Sequence, residues 1–301
     1  MKNLILGTAL WGWGVDKNTA FAMLDHFFAN GGEMVDSATN YPINKNNDDY
    51  LLALKWISEW VSINGKIKTL VKIGSVDNSG SPLFDLSPPK IAYDIEKLQS
   101  YLNESLFCVS VHWDNRNLDD QYEVDCTIDE LLSQAKKNTF QLGLSGLSFP
   151  ITYLRLCNEV SDKIIIQVKE NISTSDSREF YQKYLPNDKV DYYAYGINMG
   201  GMKKGVNSSS SIALRNIKNN HDILNKIDQF IESNAPIIQL ADYNEFALLY
   251  TYLNKELNGV IIGPRNLDQI THSMVFWKKL EIHNNDIIKG NLHEKMIAIK
   301  M

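Results

Sequence analysis

The 301-residue chain carries 30 Lys and Arg against 36 Asp and Glu, a net charge of −6 with His neutral, and mixes the two signs without blocks of like charge. That balance lacks the basic footprint of a nucleic-acid or membrane-surface binder, so neither partner is expected. No apolar run is long enough to span a bilayer, and the three cysteines, Cys108, Cys126 and Cys157, have no metal-ligand spacing; a cytoplasmic protein with reduced thiols and no bound metal is expected.

Short runs rich in Val, Ile, Leu and aromatics alternate with amphipathic stretches along the chain. The first, Leu4–Leu10, follows Lys2 and passes into Gly12, Gly14 and Asp16 without a small-residue cleavage pattern, which reads as a strand and not as a secretory signal. Further strands are expected at Met34–Ser37, Thr69–Gly74, Phe107–His112, Gln141–Ser145, Ile164–Val168, Asp191–Tyr195 and Gly259–Gly263. Helical patterns fill the intervals at Thr19–Ala29, Asp48–Ile63, Pro88–Leu102, Ile128–Lys137, Ile151–Val160 and Arg178–Tyr184, then at Ile223–Ser233, Ala241–Leu257 and Leu267–Leu280. Ser87 before Pro88 gives the strongest start signal, a hydroxyl able to cap and a proline tolerated in the first turn. Eight strand and helix alternations over residues 1–301 predict an α/β protein folded as a single-domain (β/α)8 TIM barrel. An open doubly wound sheet is the competing architecture, but the first strand-to-helix turn lacks a GxGxxG. The segment 198–219, with Gly200, Gly201, Lys203, Lys204 and Gly205, is long for a loop in a compact domain and is expected to be a lid.

In a barrel of parallel strands the C-terminal ends of the strands converge on one mouth. Asp36 and Tyr41 follow the second run, Lys72 lies in the third and His112 ends the fourth. Taken singly, each has an ordinary explanation: a surface aromatic, a structural ion pair, a core histidine. Their order and their common place at strand ends argue for a shared site. Hydride delivery to a carbonyl carbon builds negative charge on oxygen, so a nearby acid should donate a proton. A phenol with a reference pKa of about 10 needs an adjacent cation to release its proton more readily. Tyr41 and Lys72 supply that pair, Asp36 would hold the lysine charged, and His112 would hydrogen-bond the carbonyl oxygen.

The segments GGEMVDSATNYP, LVKIG, VSVHWDN and GVIIGPRNLDQI, in that order, resemble motifs of the aldo-keto reductases, and the resemblance runs over most of the chain. It implies that Asp36, Tyr41, Lys72 and His112 are catalytic and that a nicotinamide dinucleotide is bound without a Rossmann domain. By motif, Ser145 and Gln167 would hold the carboxamide, Tyr195 would stack under the nicotinamide, and Gly263, Arg265 and Gln269 would meet the adenosine end. Arg265 offers a forked grip on a 2′-phosphate, and the helix after it offers free N–H groups, so NADP(H) is expected over NAD(H), with Lys203 and Lys204 reaching the pyrophosphate. Trp11 and Trp113 sit where the family usually has pocket aromatics. The chain departs from the family pattern at Gly146, Gly196, His272 and Ser273, all on the cofactor side. The expected function is therefore NADP-dependent reduction of an aldehyde or ketone, including sugar-derived carbonyls, with Tyr41 as proton donor. A nucleotide-binding regulatory or sensor barrel with little turnover is the alternative.

Overall fold

The computed structural model describes residues 2–202, 221–282 and 291–300. Eight parallel strands close in sequence order into a barrel: β1 (Asn3–Gly7), β2 (Met34–Ala38), β3 (Lys68–Ile73), β4 (Leu106–Val111), β5 (Gln141–Ser145), β6 (Ile164–Lys169), β7 (Val190–Tyr195) and β8 (Gly259–Ile262). The register places Ile5 beside Met34 on one side and beside Ile261 on the other, which joins the last strand to the first. The open-sheet alternative is thereby excluded.

Helices surround the strands: α1 (Lys17–Ala29), α2 (Leu52–Asn64), α3 (Pro88–Leu102), α4 (Gln121–Asn138), α5 (Leu154–Glu159), α6 (Asp176–Gln182), α7 (His221–Asn234), α8 (Tyr243–Leu253), α9 (Leu267–Ile282) and α10 (Leu292–Ile297). Several boundaries move from the expected ones for local reasons. Leu51 adopts a left-handed backbone, φ 68°, so α2 begins only after it, behind a single 3-10 turn at Asn47–Asp49. Pro150 opens a 3-10 turn, Pro150–Tyr153, which leaves α5 only its last six residues. Ser87 does stand at the N-cap of α3 ahead of Pro88, but its hydroxyl makes no capping bond; its own N–H is held by Asp85 Oδ1 at 3.0 Å. No helix among the described residues is long and apolar enough to cross a membrane. The expected lid falls mostly in 203–220, outside the described residues, as do Lys203 and Lys204.

Two apolar layers hold the barrel. Outward-facing Leu6, Val35, Val71 and Val109 join the buried faces of the helices, including Met23, Phe27, Ile57 and Ile95. Inside, Ile5, Met34, Leu70, Cys108, Ile165, Tyr193 and Ile261 form a separate plug, one residue from each strand but β5. The missing contribution is Gly143, and space explains it: a Cβ there would lie 2.2 Å from Ser110 Oγ and 2.8 Å from Ile165 O. Burial pushes the thiol of Cys108, inside this plug, up to about 12, so it behaves as an inert apolar filler.

Candidate active site

Side chains alternate along a strand, so the residue two beyond each plug position points to the same interior one layer nearer the mouth. Met34 leads to Asp36, Leu70 to Lys72, Cys108 to Ser110, Gly143 to Ser145, Ile165 to Gln167, Tyr193 to Tyr195 and Ile261 to Gly263. The apolar plug is the floor, and the layer above it supplies the polar groups. A cavity of about 850 Å³ lies there, lined by Asp36, Tyr41, Lys72 and His112 together with Ser145, Gln167 and Tyr195. Its size is toward the upper end of the roughly 300–1,000 Å³ usual for small-molecule sites.

Lys72 and Asp36 form a buried ion pair, Nζ to Oδ1 2.5 Å, with side chains only 5% and 6% exposed. Gln167 Nε2 donates to the same carboxylate oxygen at 2.5 Å, so one end of this amide braces Asp36. Its Oε1 is then left buried without a hydrogen-bond partner. The Lys72 ammonium lies 5.1 Å from the centre of the Tyr41 ring, and the Tyr41 ring meets His112 edge-on, centroids 6.1 Å apart at 78°. His112 Nδ1 sits 3.4 Å from Ser75 Oγ. With that nitrogen accepting from the serine hydroxyl, the ring keeps its proton on Nε2 as a donor.

Burial first, and then the Lys72 ammonium, hold the His112 imidazole well below its usual range. The sign of the consequence follows from linkage: the unfolded chain takes up a proton near its ordinary pKa of 6.5, which the native ring refuses, so stability from this group is present above that pH and declines below it. His112→Asn should flatten the decline, measured as Tm against pH from 7 downward; an unchanged slope would refute the assignment of a neutral imidazole.

At the far end of the cavity, Arg265 Nε and Nη2 lean on the Gly14 carbonyl oxygen, each at 3.4 Å. The approach is close: a Cβ at Gly14 would stand 3.2 Å from Arg265 Nε and the guanidinium would have to shift slightly. Gln269 Oε1 accepts the Arg265 backbone N–H at 2.8 Å, and Asn266 Oδ1 takes the N–H of Gln269, one of the free donors expected at the start of α9. Gly263 has open space where a Cβ would stand. The geometry corrects one sequence expectation about the pocket. Trp11 is fully buried, bridged through its backbone to Val15, and does not line the cavity; the chain turns inward after Leu10, which does. Trp113 lines it as expected, with Nε1 pinned to the Pro82 carbonyl at 3.0 Å.

Residues 3–290 match the family model for the aldo/keto reductase family. The chain belongs to that family. As an aldo/keto reductase it is a nicotinamide-dependent oxidoreductase acting on carbonyl groups. Its fold is similar to that of the aldo-keto reductase AKR11C1 from Bacillus halodurans in its holo form, at 14% identity and TM-score 0.67, covering 99% of this chain and 91% of that one. It is equally similar to the glycerol dehydrogenase AKR11B4 from Gluconobacter oxydans, at 16% identity and TM-score 0.69, covering 96% and 92%. A stretch of 76 residues is 30% identical to an uncharacterized 11.2 kDa protein in the crtE 3′ region of Pseudescherichia vulneris, covering 24% of this chain and 74% of that protein.

The structure gives physical reasons for the departures from the family pattern. Gly146 has φ 58°, and a Cβ there would stand 2.7 Å from the His112 carbonyl oxygen, so this reductase has no room for a side chain at the end of β5. His272 Nε2 is 2.8 Å from Glu245 Oε1 and Nδ1 is 3.5 Å from Asp242 Oδ2, while Ser273 Oγ accepts from Asn244 Nδ2 at 3.0 Å. Asp242 and Asn244 thus line the cavity beside His272 and Ser273, from the start of a different helix. Sequence reasoning passed over both. The available signal was the Asp-x-x-Glu spacing of a helix start, realised as Asp242 Oδ1 accepting the Glu245 N–H at 2.9 Å.

Proposed function

We propose that this protein catalyses NADP(H)-dependent interconversion of an aldehyde or ketone with its alcohol, with Tyr41 as the proton donor in reduction. The observation that carries the reading is the convergence of Tyr41, Lys72, Asp36 and His112 on one cavity around a buried ion pair. When bound, the nicotinamide supplies the hydride that no side chain can provide. The residues fit such a group: Gln167 Oε1, buried and unpartnered, suits a carboxamide N–H, and Tyr195, 40% exposed at the rim of the cavity, offers a ring face. Ser145 Oγ already donates to the Gln167 carbonyl at 3.3 Å, and Gly146 supplies no side-chain amide, so the carboxamide oxygen keeps few side-chain donors from this chain.

On the substrate side, a carbonyl oxygen between Tyr41 and His112 receives a hydrogen bond from the neutral imidazole and the proton from the phenol. The Lys72 ammonium stabilises the charge left on the phenol oxygen, and Asp36, doubly held by Lys72 and Gln167, keeps that ammonium in place. Arg265, with Gly263 and Gln269, supports the choice of NADP(H), because a guanidinium at the adenosine end matches a 2′-phosphate.

The test is titration with NADPH and NADH, read by quenching of tryptophan fluorescence, followed by a carbonyl panel. NADPH should bind more tightly, and Arg265→Gln should weaken NADPH by about tenfold or more while changing NADH much less, as expected for a lost charge-assisted bond. Equal weakening of both would remove Arg265 from phosphate recognition. Tight nucleotide binding without turnover on any carbonyl would replace this reading with that of a sensor barrel.

A further inference from the structure

A second groove of about 410 Å³ adjoins the reaction cavity, and Ile43 and Trp113 belong to the walls of both. Its other lining residues are Asn40, Asn78, Asn115, Ser81 and Lys45, with Gly80 and Pro82, so polar groups are set into a wall that is mostly apolar surface. Among these lining residues Lys45 carries the single formal charge, and its ammonium has no hydrogen bond or ion pair among the described residues. The neighbouring carboxylates are engaged elsewhere: Asp77 with Ser79 and Ser81, Asp49 with Asn44 and Asn46.

The lysine is placed at a cost. Its φ of 61° is a left-handed conformation that non-glycine residues rarely adopt, and such strain gathers at functional sites. Its stem lies across Gly80, where a Cβ would stand 2.9 Å from Lys45 Cγ and 3.0 Å from Cε, so glycine at that position is what lets the stem cross the groove. The amides are arranged to meet a ligand. Asn78 Nδ2 is engaged by Pro42, Asn44 and Asn46 oxygens and fixes the loop, while Asn115 accepts from Ser148 through Oδ1 and keeps its N–H groups available. Asn40, next in sequence to Tyr41, has a buried Oδ1 without a partner and lines this groove, an acceptor for a ligand hydroxyl.

We propose that this groove is a substrate subsite for an anionic tail, so that the substrate is a hydroxylated carbonyl compound bearing a carboxylate or phosphate gripped by Lys45 and Asn115. The proposal rests on the oxidoreductase reading for the carbonyl end, and its test separates the two. Calorimetric titration of the full chain with glycerol 3-phosphate and glucuronate, each against its neutral counterpart glycerol or glucose, measures the subsite without turnover. At least one anionic compound should bind about tenfold or more tightly than its counterpart, and Lys45→Gln should reduce that preference to about threefold or less, whereas Arg265→Gln should leave it in place. Preference for the phosphate alone or the carboxylate alone identifies the anion. Equal binding of charged and neutral compounds, or a preference that survives Lys45→Gln, overturns the proposal. Carbonyl turnover without the anion preference defeats the subsite and spares the reductase reading; Lys45-dependent anion binding without carbonyl turnover does the reverse.

Discussion

Tyr41→Phe should lower carbonyl reduction by about 10²–10⁴-fold, the usual contribution of a positioned general acid, while leaving the affinity for nicotinamide dinucleotide close to that of the parent. The reasoning is geometric. The phenylalanine ring keeps the contacts that place Tyr41, with the Lys72 ammonium 5.1 Å from the ring centre and His112 edge-on at 6.1 Å, so the change removes one oxygen and its proton and little else. The loss should fall on kcat, because the proton moves as charge develops on the carbonyl oxygen. His112, held neutral by burial and by Lys72, still donates a hydrogen bond in the variant but is a far weaker route for the proton. Single-turnover reduction with bound NADPH measures this step directly. A variant retaining more than about a tenth of the parent rate would be incompatible with Tyr41 as the acid, and a parallel loss of cofactor binding would point to a structural role for the hydroxyl.

The residues that make this site were legible for a simple reason. Each strand is a short apolar run, and the period of two carries a polar residue onto the interior face just past an apolar one, as from Met34 to Asp36 and from Leu70 to Lys72. Both the barrel and the polar layer above its floor can be read from that pattern together with the motif resemblance. What local pattern does not contain is the direction of the chain once a strand has ended. Trp11 follows β1 as closely as Trp113 follows β4, yet a turn closed by Gly12 N–H to the Val15 oxygen at 2.8 Å folds Trp11 into the core, while Trp113 is tied outward to Pro82. Helix α4 begins at Gln121, seven residues before the expected Ile128, because its first turns are polar and rest on the Asn117–Asp120 capping box. Gln167 shows a subtler limit: its position was readable, but its bond to Asp36 depends on two strands far apart in sequence facing each other across the barrel. Asp242 and Asn244 reach the cavity through the placement of a whole helix, which no window of sequence encodes.

The largest effect on stability is expected from Asp36→Asn. The substitution preserves shape but leaves the Lys72 ammonium, 5% exposed, against a neutral amide, and an uncompensated buried charge costs about 3–5 kcal/mol. For a chain of this size that corresponds to a fall in Tm on the order of 10 °C. Lys72→Met made together with Asp36→Leu removes both charges, and replacing a buried pair by apolar groups is often neutral; here Gln167 Nε2 loses its acceptor, at about 1–3 kcal/mol, so the double variant should melt between Asp36→Asn and the parent. Reduction should be lost in both, because neither keeps a fixed cation beside Tyr41. Thermal melting and single-turnover rates on the same preparations check the two halves of the argument. A double variant that is both stable and inactive shows that the ion pair serves the chemistry and not the fold, whereas an Asp36→Asn protein as stable as the parent would mean that the lysine is not held as a buried cation.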